Sequence, residues 1–281
     1  MVLGGSGFLG SILVPYLEKQ GCEVFLQTRA LGSPFSCDPS SESALANLLR
    51  ETRPDIVLNL VAQTDVDLCE RKPGEAFHAN VGTLLAFQKC LEVWRGPLVQ
   101  ISTDQVYSGL GPHAENKPAP INVYGITKFA AERVALALGA VVIRTNFVGA
   151  YPKGKKTTFS DWLVNSFRNS ESIHVFEDIY FSPLHVSVLC CAILAVIRAP
   201  QAGIFNVGSI DGLSKAQFAF QLGDLLGFST KNLQRGVATQ KNLPAKRPQD
   251  MRMRCEKFVQ TYGFSLPNAQ DTLRRVAADY L

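Results

Sequence analysis

The sequence predicts an α/β protein: a Rossmann-type, doubly wound parallel sheet with a smaller C-terminal α/β lobe. Three observations carry that expectation. Short β-branched apolar runs alternate with helix-length amphipathic stretches from the start to about residue 145. A glycine-rich turn separates the first run from the first helix, and the regular alternation fades after Gly149.

The predicted strands are Val2-Leu3, Glu23 to Gln27, Asp55 to Leu60, Pro97 to Ile101 and Ala140 to Arg144. Between them, Phe8 to Gln20, Glu42 to Glu51, Gly74 to Trp94 and Val123 to Leu138 read as helices. Three strand entries follow breakers, Gly21-Cys22, Arg53-Pro54 and Gly96-Pro97, where glycine or proline ends the preceding helix. The first strand is short against the usual length of about five or six residues, so either the sheet starts ragged or the true start lies upstream. Beyond Gly149 a basic, hydroxyl-rich loop from Lys153 to Thr158 leads into mixed short elements. Val186 to Ile197 then reads as a helix, and Gly203 to Val207 as a strand returning to the main sheet.

A length of 281 residues allows one large domain or two unequal ones without staples. With 46% hydrophobic and 19% charged residues the chain sits outside the disordered regime. Twenty-eight basic against 24 acidic residues leave a net charge of +4, far from the cationic density of a nucleic-acid groove, so no nucleic-acid partner is expected. The longest apolar run, Val186 to Ile197, falls short of the roughly 20 residues that span a bilayer, and no membrane partner is expected either. The start MVLGGSGFLG lacks a signal-peptide pattern, and seven cysteines without a C-x-x-C pair signal neither a disulfide framework nor a zinc site. The four histidines show no metal-ligand spacing, so no metal is expected, and a reducing cytoplasm is the expected location.

Gly4, Gly7 and Gly10 form G-x-x-G-x-x-G at the first strand-to-helix turn. Without a Cβ such a loop turns tightly and brings backbone N–H groups, with the helix N-terminus, against a dinucleotide pyrophosphate. Gly4, Gly7, Phe8, Leu9 and Gly10 are therefore expected cofactor contacts. At the end of the second strand an acidic residue would select NAD, and an arginine NADP. Arg29 stands there, 19 positions after Gly10, with no Asp or Glu beside it, so NADPH is the expected cofactor and NAD the alternative. Asp38 is a candidate for the adenine amino group or simply a turn-forming Asp before Pro39.

Ser102-Thr103-Asp104 ends the apolar strand at Ile101, where ligands bind in open α/β sheets. Twenty-one residues after Thr103 comes Tyr124, and Lys128 follows one helical turn later. A nearby ammonium lowers the pKa of a phenol from about 10. The pattern thus supplies a general acid (Tyr124), its tuner (Lys128) and an orienting hydroxyl (Thr103) for reduction of a carbonyl. The partition that follows has a cofactor domain at 1–149, to which 186–207 returns, and a substrate lobe from 150–185 and 208–281.

Seven stretches together make the chain resemble the extended short-chain dehydrogenase/reductases, and among them the dTDP-4-dehydrorhamnose reductase family. They are GGSGFLG at 4–10, RPDIVLNLVAQTDVDLCE at 53–70, HANVGT at 78–83, STDQVYSG at 102–109, NVYGITK at 122–128, VVIRTNFVG at 141–149 and KRP at 246–248. The resemblance implies catalysis by Thr103, Tyr124 and Lys128. It also implies Ala62, Gln63 and Thr64 beside the cofactor, Asn80 supporting the site, NADPH as hydride donor and a nucleotide-linked 4-keto-6-deoxy sugar as substrate. Candidate substrate contacts are Asp104, Gln105, Val106, Asn146, Phe147 and Arg247, the last able to form a bidentate diphosphate contact or to sit solvated in its loop. The chain departs from the family at Gln105 and Ser108, where it usually has tyrosine and aspartate, and at Phe147, where it has tryptophan. It departs again in Asp178-Ile179-Tyr180-Phe181-Ser182-Pro183-Leu184, all on the substrate side. Two other readings stay open: a nucleotide-sugar epimerase or dehydratase of the same superfamily, and a non-catalytic NADP-binding subunit resembling the regulatory partner of methionine adenosyltransferase. A homodimer is an allowed assembly.

Overall fold

The computed structural model describes residues 1–30, 33–152, 157–238 and 243–281, so the predicted basic loop at Lys153 to Lys156 lies outside the described residues. In chain order the elements of the first half are β1 (Val2–Leu3), α1 (Phe8–Lys19), β2 (Leu26–Thr28), β3 (Phe35–Ser36), α2 (Glu42–Thr52), β4 (Val57–Asn59), α3 (Val66–Arg71), α4 (Pro73–Lys89), β5 (Leu98–Thr103), α5 (Val123–Ala137) and β6 (Val141–Thr145). The second half adds β7 (Phe147–Val148), α6 (Phe159–Arg168), β8 (Ile173–Phe176), β9 (Tyr180–Phe181), β10 (Leu184–His185), α7 (Val186–Arg198), β11 (Gly203–Val207), β12 (Leu213–Ser214), α8 (Lys215–Leu225), β13 (Leu233–Gly236), α9 (Glu256–Tyr262) and α10 (Ala269–Ala278).

Seven strands form one sheet in the order β11-β6-β5-β4-β1-β2-β3, every neighbouring pair parallel. The order reverses between β1 and β4, the switch point where doubly wound sheets bind their ligands. The Rossmann-type expectation is met, and Gly203–Val207 pairs along its whole length with β6. The two-residue β1 is central, hydrogen-bonded to β2 on one side and β4 on the other.

Strand residues alternate between two cores, as a period of two requires. Val2, Val99, Ile101, Val141 and Ile143 face the layer holding Leu13, Leu17, Leu189 and Ile193 of α1 and α7. Leu3, Leu98 and Val142 face Leu45, Leu49, Leu84, Phe87 and Ala131 of α2, α4 and α5. A third core joins Leu163 and Phe167 of α6, Phe218 and Leu222 of α8, and Leu273 and Val276 of α10 with Val175 and Phe181.

Local boundaries follow from capping. Asn122 caps α5 by accepting from Gly125 N–H at 2.8 Å. Ser214 and Gln217 form a reciprocal capping box on α8. Two expectations needed adjustment. The second strand begins at Leu26 rather than Glu23, because Leu26 and Gln27 are the residues in register with the short β1. The sequence reading also missed α3, a six-residue helix too short to show a period, which begins where the Asp65 carboxylate accepts from Leu68 N–H at 2.9 Å.

Beneath the carboxyl end of the sheet lies a buried polar network. Glu132 of α5 accepts from Ser102 Oγ on β5 and from Arg144 Nε and Nη2 on β6. Arg144 Nη1 donates to Tyr107 Oη at 2.7 Å, and Tyr107 donates to Asn206 Oδ1 of β11 at 2.7 Å. Both members of the ion pair are fully buried. Removing one charge leaves the other uncompensated in a low-dielectric interior, which costs about 3–5 kcal/mol. Glu132→Gln is therefore expected to lower the unfolding free energy by about that amount in urea titrations monitored by circular dichroism, whereas a loss below about 1 kcal/mol would mean the pair is dispensable.

Candidate functional site

The glycine turn is built from three backbone approaches that exclude side chains. Gly4 has φ +71° and packs against Val61 after β4, where an added Cβ would lie 3.0 Å from the Val61 backbone nitrogen. A Cβ on Gly10 would meet the Gly5 carbonyl oxygen at 2.2 Å, and one on Gly5 would run into Leu26. Gly5, which sequence spacing did not single out, is thus as tightly enclosed as its neighbours. Gly7 differs, since a Cβ there meets nothing nearer than the Gly4 carbonyl at 3.8 Å. It is the N-cap of the 12-residue α1 and supplies no side chain to the free N–H groups of Phe8, Leu9 and Gly10. The loop is braced by Gln27, which accepts from Gly4 N–H at 3.0 Å and donates to the Cys37 carbonyl at 2.6 Å.

Arg29 stands exposed one residue beyond β2, and its charge reaches Asp38. Burial pushes the Asp38 carboxyl up, but hydrogen bonds from Ser40 N–H and Oγ, with His78 and Arg29 nearby, hold it below the usual range. Ala62, Gln63 and Thr64 follow β4, with Gln63 N–H donating to Asn80 Oδ1 at 2.8 Å. The Asn80 amide in turn donates to Thr127 Oγ1 at 2.8 Å, between Tyr124 and Lys128 on α5. Asn80 is therefore a brace between the loop after β4 and the helix of the Tyr-x-x-x-Lys pattern.

At the end of β5 the structure brings Thr103 near enough to Tyr124 to act on the acidity of its phenol. Gly125 lets α5 come this close, since a Cβ there would lie 2.4 Å from the Gln105 carbonyl. Lys128 is buried, and its ammonium donates to the Ile101 carbonyl at 2.7 Å. Burial lowers Lys128 to about 8, with Glu132 opposing the shift. The expected tuning of the phenol by Lys128 is not what the structure shows. Burial pushes Tyr124 well above the ordinary phenol range, Asp104 and Cys69 add to the rise, and Thr103 alone opposes it.

Next to this group lies a cavity of about 230 Å³ whose wall includes Gln105, Asn146, Phe159, Trp162, Lys215 and Arg247. Asp104 sits buried behind it, accepting from Asn146 Nδ2 at 2.7 Å and from Thr103 Oγ1 at 3.2 Å. Arg247 pairs with Asp67 at 2.9 Å on the rim. Lys215, held over the Phe181 and Phe159 rings, was missed by sequence reasoning because it reads as the first residue of an ordinary capped helix. Two candidate substrate contacts lie elsewhere. Val106 is fully buried in the apolar core beneath the sheet. Phe147 stacks on Phe8 with ring centroids 5.6 Å apart, and Tyr151 lies against the same ring, so Phe147 belongs to the wall of the glycine turn. Among the described residues no cluster of His, Cys, Asp and Glu could hold a metal, and no helix is long and apolar enough to cross a membrane.

A helix N-terminus stripped of side chains at the switch point, with a Thr–Tyr pair and a buried lysine at the next strand ends, is the architecture of the extended short-chain dehydrogenase/reductases. The family model for the RmlD substrate binding domain matches residues 1–281. The dTDP-4-dehydrorhamnose reductase of Escherichia coli strain K12 is 30% identical over 291 residues, 98% of this chain and 96% of that protein. A probable low-salt glycan biosynthesis reductase, Agl14 of Haloferax volcanii, is 27% identical over 99% of this chain and 97% of its own. A crystal structure of dTDP-4-dehydrorhamnose reductase from Bacillus anthracis in complex with NADP superposes with a TM-score of 0.87 at 24% identity, covering 99% of this chain and 98% of that one. The chain belongs to the RmlD substrate binding domain family, and with it to the oxidoreductases of the dTDP-4-dehydrorhamnose reductase kind.

The glycine turn separates two effects that substitution resolves. Gly10→Ala forces a Cβ into the Gly5 carbonyl and is expected to destabilise the fold by about 1–3 kcal/mol, the usual cost of overpacking. Gly7→Ala is expected to stay within about 0.5 kcal/mol of the parent while weakening dinucleotide binding, because its methyl meets nothing nearer than the Gly4 carbonyl and stands at the helix N-terminus. Thermal unfolding together with fluorescence titration of NADPH checks both; equal losses of stability in the two variants would contradict the packing described.

Proposed function

We propose that this chain uses NADPH to reduce the 4-keto group of a nucleotide-activated deoxysugar. The observation that carries the reading is the convergence of Thr103 at the carboxyl end of β5 with Tyr124 and the buried Lys128 of α5, two residues before Gln105 on the wall of a cavity with aromatic and cationic lining. Aromatic rings suit a nucleoside base, and Arg247 and Lys215 suit the diphosphate and sugar oxygens. The names of the curated relatives, and the NADP reported for the Bacillus anthracis protein, point the same way.

The residues of the glycine turn fit a dinucleotide. Gly4, Gly5 and Gly10 close the loop to side chains, Gly7 leaves the helix N-terminus open, and the exposed Arg29 is suited to a ribose 2′-phosphate. Ala62, Gln63, Thr64 and Asn80 flank that region, and Lys128 is the residue to hold the nicotinamide ribose. When bound, the reduced nicotinamide supplies hydride to the substrate carbonyl carbon. Tyr124 donates its phenolic proton to the developing alkoxide, and the Thr103 hydroxyl binds the same oxygen. A phenol raised by burial remains far more acidic than the alcohol formed, so the transfer runs downhill. Asn146, Gln105 and Asp104 border the substrate. The partition into a cofactor domain, 1–149 with 186–207, and a substrate lobe, 150–185 with 208–281, belongs to the same proposal.

The test is NADPH oxidation followed at 340 nm with a dTDP-4-keto-6-deoxy sugar. Tyr124→Phe is expected to lower kcat by about 10²–10⁴-fold, and a variant that keeps full turnover overturns the assignment. Arg29→Ala is expected to raise the KM for NADPH while leaving that for NADH nearly unchanged; parallel changes for the two cofactors would remove Arg29 from the 2′-phosphate site.

A further inference from the structure

Arg247 lies in the irregular stretch between β13 and α9, yet residues far away in the sequence hold it at the wall of the substrate cavity. One oxygen of the Asp67 carboxylate, on α3, takes two contacts. Ala245 N–H, 178 residues away, donates to Oδ1 at 3.2 Å, and Arg247 Nη2 pairs with the same oxygen at 2.9 Å. Arg247 Nη1 donates to the Ala245 carbonyl at 2.9 Å, so the guanidinium closes a ring with the carboxylate and the backbone of its own turn. Between them, the Lys246 carbonyl accepts from Asn122 Nδ2 at 2.9 Å, and the same amide donates to Gln105 Oε1 on the cavity wall at 3.0 Å. Three successive residues are therefore tied to α3 and to the cap of α5.

The helix that carries Asp67 is itself fixed. Glu70 Oε2 accepts from Val123 N–H at the start of α5 at 2.9 Å, and Asp65 N–H donates to Gln63 Oε1 in the loop after β4 at 3.2 Å. Asp67 thus stands on a short helix anchored at both ends, with its carboxylate turned to a single arginine and that arginine's turn.

We propose that Asp67 is the positioning residue for Arg247, holding the guanidinium at the cavity rim in the attitude that receives the diphosphate of the nucleotide sugar, a role that rests on the cavity taking a nucleoside diphosphate. An arginine side chain has many rotamers, and a ligand that must order it loses affinity that a side chain already ordered does not cost. A guanidinium carries five N–H donors in a planar fork, more than the Ala245 carbonyl and Asp67 engage, so a bidentate phosphate contact stays open to it. The Asp67 charge also repels phosphate. With the Arg247 and Asp67 side chains 23% and 28% exposed, water screens that repulsion, whereas the orientation imposed by the ring is not screened. Ordering outweighs repulsion, and Asp67 strengthens diphosphate binding without touching the ligand.

The test is titration calorimetry with dTDP on a double-mutant cycle. Arg247→Ala is expected to weaken dTDP binding at least about tenfold and Asp67→Ala about three- to tenfold. The double variant should stay within about twofold of Arg247→Ala alone, because without the guanidinium Asp67 has nothing to position. Asp67→Asn keeps an oxygen acceptor for Ala245 N–H and should fall between the parent and Asp67→Ala; it carries the cycle if Asp67→Ala does not fold. NADPH affinity should stay within about twofold throughout. In turnover the Asp67 variants should raise the KM for the keto sugar by the same factor, with kcat at saturation within about twofold, since Asp67 touches no reacting atom. Additive losses in the cycle overturn the positioning role, leaving Asp67 as a prop for the cavity wall. Binding of dTDP to Asp67→Ala as tight as to the parent, or tighter, overturns it too and makes Asp67 a competitor for the guanidinium. A parent that binds NADPH but no dTDP removes the nucleotide-sugar reading and this role together. A parent with a coupled cycle that oxidises no NADPH rejects the reductase reading alone and keeps Asp67 in its role.

Discussion

Glu132 and Arg144 meet with no exposure to solvent, on a helix and a strand that would otherwise share only apolar contacts. Glu132 also takes the Ser102 hydroxyl of β5, and Arg144 passes the connection through Tyr107 to Asn206 of β11. One network therefore fixes α5 against three adjacent strands at the end of the sheet where Thr103 lies. Apolar packing alone lets a helix slide or turn by small amounts at little cost, because dispersion contacts are numerous and individually weak. Buried charges do not allow it, since any displacement leaves a donor or a carboxylate oxygen without its partner. Tyr124 and Lys128 lie two turns and one turn before Glu132 on the same helix, so their depth over the sheet is set by this pair. Lys128 feels it directly, because the Glu132 charge opposes the loss of its proton on burial.

The glycine turn meets the same demand by the opposite means. There the backbone itself is the packing element: Gly4 against Val61, Gly5 against Leu26 and Gly10 against Gly5, each at a distance that leaves no room for a methyl group. The close approach draws α1 down onto the sheet and aims its N-terminus outward, while Gln27 holds the loop by its own side chain. Asn80 and Asn122 tie the remaining loops to α5 by side-chain hydrogen bonds at the strand ends. Polar side chains here tie loops to helix at the strand ends, while the two-residue β1 lies inside the seven-stranded sheet between β2 and β4.

The alternation of runs, the glycine turn and the return of Gly203–Val207 were legible because each depends on local period or on a missing side chain. The gathering of Thr103, Tyr124 and Lys128 at the end of β5 was legible as residue types at a spacing. Their acidities were not, because burial decides them and burial is a property of the whole fold: the sequence puts Lys128 one turn from Tyr124, yet its ammonium turns to the Ile101 carbonyl. Phe147 was assigned to substrate by its position after Arg144-Thr145, and the deciding fact, a ring stacked on Phe8 at the start of the chain's first helix, is a long-range contact. Lys215 carried no signal at all, since a lysine at a helix start is ordinary until its aromatic neighbours are known.

Burial moves every ionisable group at the heart of the site toward its neutral form: Tyr124 upward, Asp104 up to about 6, Lys128 and Lys215 down to about 8. Two arginines of the site region sit at its periphery, Arg29 exposed beyond β2 and Arg247 paired with Asp67 on the cavity rim. Exposed cations and buried, neutral-shifted groups are thereby divided in space, with the cations where solvent limits the cost of bringing charges together. The centre holds groups whose charged forms burial makes costly, where moving one proton changes the local energy most. A permanent cation beside Tyr124 would ease ionisation of the phenol in the resting protein and leave a phenolate with no proton to give. With the Lys128 ammonium on a backbone carbonyl and the phenol raised by burial, Tyr124 keeps its proton in the resting protein.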